Sequence, residues 1–186
     1  MSYQCACCGK THDGLPDIGF AKPENFFSIP GEEREARVQY TEDTCSIDNQ
    51  YFFIRGLIEI PIHDEEFTFG IGVWVSQKEE NFRNYQQHPD SADIGPYFGW
   101  LSSDIPEFGS TLSLKTMAHF QGGNLRPRIE LEPTDHPLAV AQLEGISLDR
   151  AWEIVHEYMP NSKLPLLSPF LPLPLEFPTI TQPRPA

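Results

Sequence analysis

Two stretches in the middle of the chain alternate apolar and polar side chains with the period of a β-strand. In YFFIRGLIEI, over residues 51–60, the charged Arg55 and Glu59 fall between the apolar positions. FTFGIGVWVS, over residues 67–76, repeats the pattern. The apolar stripe comprises Phe52, Ile54, Ile58, Ile60, Phe67, Phe69, Ile71, Val73 and Val75. PIHDEE between them has a length that suits a hairpin loop, so we predict a β-hairpin.

Further short segments predict that the sheet continues through residue 143: GPYFGWLSS, TLSLKTMAHFQ, NLRPRIELE and PLAVAQL. Helices are predicted at three places. PGEEREARVQY carries acids first and arginines later, which suits the helix dipole. Ser76 with Glu79 has the spacing of a capping box. Over residues 146–159, Ser147 can cap a helix whose apolar stripe includes Trp152, which we therefore expect in the core.

These patterns predict one α+β domain over residues 1–159, with an antiparallel, mostly meandering sheet and a few helices. Residues 160–186 form a proline-rich arm that we expect to be extended, because proline lacks the amide donor of helices and sheets. The arm is too apolar for a solvated linker. Packing on its own domain, exchange within a homodimer and binding to a partner are the alternatives.

The net charge of the chain limits which classes of partner and function are expected. Lys and Arg number 13 and Asp and Glu 27, a formal net charge of −14. Nucleic acids and anionic membranes need a basic surface, so neither is an expected partner. The acidic surface either keeps the protein soluble or attracts a basic protein partner. No segment resembles a signal peptide or a membrane span, so we expect a cytoplasmic protein with reduced thiols.

The four cysteines point to a metal site. Cys5 and Cys8 are two residues apart and Gly9 follows, which lets two thiolates converge on one ion across a tight turn. His12 and the distant Cys45 complete a closed structural zinc site, an N-terminal zinc knuckle within residues 1–50. Cys7 can replace a ligand if the register shifts. The alternatives are a redox pair or unliganded thiols.

A second candidate site lies on the other face of the predicted strands. Its members are Arg55, Trp74, His119 and Arg126, beside Glu59, Lys115 and Arg128. Basic side chains are scarce in this chain, so their concentration there can form a pocket for an anionic ligand. The alternative is a solvated sheet face with cross-strand ion pairs.

No motif of a serine nucleophile, a phosphate-binding loop or a zinc protease occurs in the chain. We therefore predict a non-enzymatic binding or interaction protein with a structural zinc ion, of which a toxin-neutralising, immunity-type protein is one kind. The alternative is a small-molecule enzyme or sensor that uses the basic and aromatic sheet face.

C-x-x-C-G-x-x-H, EDTCSID, YFFIRGLIEIPI, FGIGVWVSQKEENF and DHPLAVAQLEGIS occur in this order. The chain thereby resembles the bacterial domain-of-unknown-function family 2199 from about Tyr3 to Met159. The resemblance implies a cytoplasmic bacterial domain without an assigned activity. It supports Cys5, Cys8, His12 and Cys45 as the ligands, and leaves Cys7 and the proline-rich arm outside the family pattern.

Overall fold

The computed structural model describes residues 2–5, 9–123 and 125–158. These residues form strands and α-helices, which confirms the α+β class. The strands are β1 Ser2–Gln4, β2 Thr11–Asp13, β3 Ile18–Gly19, β4 Val38–Tyr40, β5 Thr44–Ile47, β6 Tyr51–Pro61, β7 Thr68–Gln77, β8 Tyr97–Trp100, β9 Lys115–His119 and β10 Arg128–Leu131. The helices are α1 Glu24–Phe27, α2 Arg34–Arg37, α3 Glu79–Gln87, α4 Pro137–Glu144 and α5 Leu148–Tyr158.

The central hairpin is confirmed. β6 and β7 pair antiparallel with Ile54 opposite Val75 and Ile58 opposite Ile71, so their apolar stripes share one face. The stripe begins later than predicted, because Phe67 precedes β7 and is 39% exposed.

The sheet is mixed, and the prediction of an antiparallel sheet is wrong at two pairings. Its strand path is β3-β7-β6-β10-β9-β8; β3 runs parallel to β7, and β10 runs parallel to β6. One edge of β6 is shared: β5 pairs with its first residues, and β10 joins at Leu57. A bridge from Val75 to Leu101, next to β8, makes the sheet curl back on itself.

PLAVAQL forms helix α4, so its prediction as a strand is wrong. Pro137 occupies the first turn, where a missing amide costs nothing, and Nδ1 of His136 accepts a hydrogen bond from the Leu138 amide. Gln142 then links the helix to β10: its amide donates to the Ile129 carbonyl at 2.7 Å and accepts from the Leu131 amide at 2.8 Å. Capping and this link outweigh the strand-like composition.

Of the three predicted helices, two differ from their prediction in extent and one matches it. α3 begins after Lys78, because Ser76 is still in β7, where its hydroxyl accepts from the Trp100 amide. The PGEEREARVQY segment gives only a short 3-10 turn and α2 before β4 begins at Val38. α5 matches its prediction, with Ser147 accepting from the Arg150 amide and Trp152 buried at 2% exposure.

Two apolar clusters lie on opposite faces of the β6–β7 hairpin. The main cluster joins the predicted stripe to helices α3, α4 and α5. The second cluster comprises Ile29, Val38, Cys45, Ile47, Phe53 and Trp74, with Phe20 and Phe26 packed against it. The second face is therefore partly a core, which the alternation along β6 and β7 did not reveal.

The predicted proline-rich arm, residues 160–186, lies outside the described residues. No helix in the described part of the chain is long and apolar enough to cross a bilayer.

Candidate metal centre

The N-terminal hairpin places Cys5 and His12 side by side. β1 and β2 pair antiparallel, with Tyr3 opposite His12. At the turn, the Cys5 amide donates to the Lys10 carbonyl at 2.9 Å and the Gly9 amide donates to the Cys5 carbonyl at 2.8 Å. Gly9 has a φ of 70°, a left-handed conformation that glycine adopts without strain. The glycine that follows the C-x-x-C pair therefore has the conformation that the sequence required of it.

His156 reaches the same point from the opposite end of the described chain. Helix α5 carries Trp152 and His156 four residues apart, so both lie on one side of the helix. The His12 ring stacks on Trp152 with centroids 4.0 Å apart, and the His156 ring meets His12 edge-on at 5.5 Å. Nε2 of His156 lies 3.9 Å from Sγ of Cys5. The hairpin and the helix thus meet through potential ligand atoms.

The geometry of this group suits a metal ion. One ligand atom from each of Cys5, His12 and His156 lies within 4.8 Å of the other two. Around tetrahedral zinc, bond lengths near 2.3 Å to sulfur and 2.0 Å to nitrogen put these atoms about 3.5 Å apart. Thiolate and imidazole are ligands that zinc prefers. Cys5 is buried at 1% exposure, and Trp152 fixes the plane of the His12 ring.

Of the four predicted ligands, the structure brings Cys5 and His12 together. Cys8 and its neighbour Cys7 lie outside the described residues. Cys45 is not in the group: it pairs with Phe53 across β5 and β6, so it faces the second cluster on the other side of the hairpin. Strand pairing, which the sequence did not specify, sends Cys45 there.

Sequence reasoning missed His156. Its signal was the spacing along α5, since a histidine four residues after the buried Trp152 lies on the apolar side of an amphipathic helix. Only the folded chain shows that this side covers the N-terminal hairpin.

The structure does not bring all the residues of the second candidate site together. Arg55 and Trp74 lie directly opposite in β6 and β7. Trp74 is fully buried, and its indole Nε1 donates to the Phe20 carbonyl at 2.9 Å, so its ring is closed to solvent. His119 lies two strands from β6, with Nε2 2.8 Å from the carboxylate of Glu130.

Arg126 also has a carboxylate partner, with Nε 2.6 Å from Oδ1 of Asp43. Along the open sheet face, Lys115 pairs with Glu132 and Arg128 with Glu59. The structure therefore separates His119 from Arg55 and fills much of this face with cross-strand ion pairs. Each such exposed pair contributes about 0–1 kcal/mol to stability.

Comparison with known proteins gives one match. The family model described as an uncharacterised protein conserved in bacteria (DUF2199) covers residues 4–146. No curated protein matches the chain, and no solved structure matches it either.

Proposed function

The chain belongs to DUF2199, a family of uncharacterised proteins conserved in bacteria, and we propose that it is a non-enzymatic binding module whose two ends are joined by a structural zinc ion. One observation carries the proposal. Cys5 and His12 from the N-terminal hairpin meet His156 from helix α5 at distances suited to a shared metal ion. A metal there would hold together parts of the chain that are far apart in sequence.

We assign Cys8 as the fourth ligand. It follows Cys5 by three positions and directly precedes Gly9, whose left-handed turn brings the chain back toward β2. Two cysteines and two histidines then form a closed set, which is typical of structural zinc because no coordination position remains for water. In a reducing cytoplasm, the compartment we expect for this chain, the thiols would remain available as ligands.

One observation favours a second candidate, a catalytic metal. An open cleft borders the group and is lined by His12, Trp152 and residues 13–16. If Cys8 did not bind, the metal would have three protein ligands and one open position facing solvent, as in zinc hydrolases. The identity of the fourth ligand therefore separates the binding module from the enzyme.

The partner we propose for the module is a basic protein. The net charge of −14 would attract such a partner and raise its rate of association. An immunity-type protein that neutralises a basic nuclease toxin would fit this chemistry. This part of the proposal is tested by co-purification at low salt, with loss of the complex at about 0.5 M salt as the expected result.

Metal content tests the zinc ion directly. We expect about one equivalent of zinc in protein purified without added metal, and less than about a fifth of that in Cys5→Ser and His156→Gln, because each substitution removes a ligand. Cys45→Ser is the matched control, since it removes a buried thiol from the opposite face and should leave the zinc content unchanged. Equal zinc loss in all three variants, or no zinc in the wild type, would contradict the proposal.

Cobalt substitution identifies the fourth ligand. We expect the cobalt protein to show the intense visible absorption of a tetrahedral site with two thiolates, and Cys8→Ser to weaken its sulfur-to-metal band. An unchanged band in Cys8→Ser, together with a spectrum that responds to added azide, would show an open position and favour the catalytic alternative.

A further inference from the structure

The cations of this protein fall into two groups. Within the described residues, most Lys and Arg side chains pair with carboxylates: Arg37, Lys78, Arg83, Lys115, Arg126, Arg128 and Arg150. Lys10, Lys22, Arg34 and Arg55 do not. In a chain with twice as many acids as bases, a cation without a carboxylate partner is unexpected. Of these four, all but Lys10 border the second cluster.

The Arg55 side chain lies next to two glycines, Gly19 in β3 and Gly72 in β7. A β-carbon at Gly19 would lie 2.9 Å from Nη2 of Arg55, and one at Gly72 would lie 3.6 Å from it. The absence of a β-carbon at both positions therefore leaves room for Nη2 of Arg55 next to β3 and β7. Nε of Arg55 is buried and has no hydrogen-bond partner among the described residues. A buried donor without a hydrogen-bond partner destabilises the folded chain unless something binds it.

Lys22 follows Gly19 by three residues. Its ammonium is 3.2 Å from the centroid of the Tyr40 ring and 6.0 Å from that of Phe26. Arg34 stacks over the same Phe26 ring at 4.6 Å. Aromatic rings stabilise these cations from one side but leave their charge uncompensated.

Burial and neighbouring charges affect the pKa of both Lys22 and Arg55. Burial lowers the pKa of Lys22; the Cys45 thiol opposes this shift, and the charge of Arg55 adds to it. Burial also lowers the pKa of Arg55, with a contribution from Arg126. Glu42 and Asp43 attract Arg55 through space, but Asp43 is already bound to Arg126. Repulsion between neighbouring cations is relieved by an anion placed between them.

We propose that Lys22 and Arg55 form a binding site for a dianionic phosphate group, as in a phosphate monoester. Arg55 supplies the planar fork that matches phosphate oxygens, and Lys22 supplies a second point charge. A dianionic phosphate balances the charge of two cations, whereas a carboxylate carries only one negative charge. The site lies on the face opposite the main cluster, to which Cys5 belongs, and the proposal does not depend on the metal.

Calorimetric titration with inorganic phosphate tests this site. At low ionic strength we expect saturable binding of one phosphate, at least tenfold weaker in Arg55→Gln and in Lys22→Met, and weaker binding of acetate to the wild type. Arg128→Gln is the matched control, because it removes the same charge from β10 where Glu59 already pairs with it. That variant should bind phosphate as the wild type does.

The proposal would be overturned by no saturable phosphate binding in the wild type, by an equal loss in Arg128→Gln, or by full binding in both Arg55→Gln and Lys22→Met. Zinc content is measured in the same samples. Loss of phosphate binding with unchanged zinc places the phosphate at Arg55 rather than on the metal, whereas phosphate binding that follows zinc content across Cys5→Ser would also contradict the site. Thermal unfolding of each variant confirms that it is folded.

Discussion

The thiol of Cys45 lies in an apolar environment. It is fully buried against Phe53 and Trp74. Burial raises its pKa to about 11, and the charge of Lys22 opposes this rise only in part. At neutral pH it is therefore a protonated, apolar core group, which makes it a poor metal ligand or nucleophile.

Because Cys45 is buried, the free energy of unfolding is expected to depend on pH in the alkaline range. An unfolded thiol loses its proton near pH 8.5, whereas folded Cys45 keeps its proton to about pH 11. Between these values the folded state binds more protons, so stability falls as pH rises, by at most about 1.4 kcal/mol per pH unit. We expect urea unfolding at pH 8.5 and 9.5 to show this fall in zinc-loaded wild type and a smaller one in Cys45→Ala. Equal slopes in the two proteins would contradict the assignment.

The contrast between Cys45 and His156 shows what local pattern can predict about the metal site. The C-x-x-C-G spacing predicted a turn that needs a glycine, and Gly9 has the left-handed conformation that such a turn requires. The membership of His156 in the group with Cys5 and His12 followed from no local rule. Cys45 was chosen by residue type, but cross-strand pairing with Phe53 directs it away from Cys5.

At the level of elements, the parallel contact between β6 and β10 depends on a missing side chain. A β-carbon at Gly56 would lie 2.5 Å from the side chain of Ile129 and 2.8 Å from the carbonyl oxygen of Pro127. That carbonyl accepts the Leu57 amide at 2.9 Å. Gly56 therefore permits the close approach of β10 to β6, next to the segment of β6 that pairs with β5.

Gly56→Ala should separate these strands. We expect a loss of about 1–3 kcal/mol in the free energy of unfolding, because the neighbouring carbonyl belongs to the backbone and cannot easily move. Gly31→Ala is the control: its β-carbon meets nothing within 4 Å, so we expect a change within about 0.5 kcal/mol. Chemical denaturation of both variants gives the comparison. A similar effect at the two positions would show that close approach at Gly56 does not matter.

Elements were predicted well where one face repeats over many residues. The β6–β7 hairpin and α5 have long periodic stripes, and burial of a whole stripe overrides local detail. PLAVAQL is short and apolar, so periodicity could not separate strand from helix. The His136 cap and the hydrogen bonds from Gln142 to β10 stabilise the helix. The Gln142 bonds require β10, which only the folded chain brings close to α4.

At the scale of the whole molecule, the proposed zinc would join the two ends of the described chain. β1 and β2 form a sheet separate from the main one, so the hairpin relies on its contacts with α5. Metal binding there would stabilise the folded state by holding residues 5 and 156 together.

Metal removal should therefore destabilise some parts of the fold more than others. We expect chelation to lower the melting temperature by several degrees and to speed amide exchange in β1, β2 and the last turn of α5, while β6 and β7 stay protected. Hydrogen exchange of the metal-loaded and chelated protein provides the measurement, with Cys5→Ser as a metal-free reference. Uniform loss of protection through β6 and β7 would show that the metal supports the whole core instead.

By itself the sequence determined the α+β class, the central hairpin, helix α5 and the left-handed conformation of Gly9. These follow from periodic burial and from glycine chemistry within a few residues. Only the tertiary structure decided which face Cys45 occupies, that His156 joins Cys5 and His12, and that Arg55 and Lys22 pair with no carboxylate among the described residues. Each of these depends on strand order and on packing between segments far apart in the chain, which no local pattern encodes.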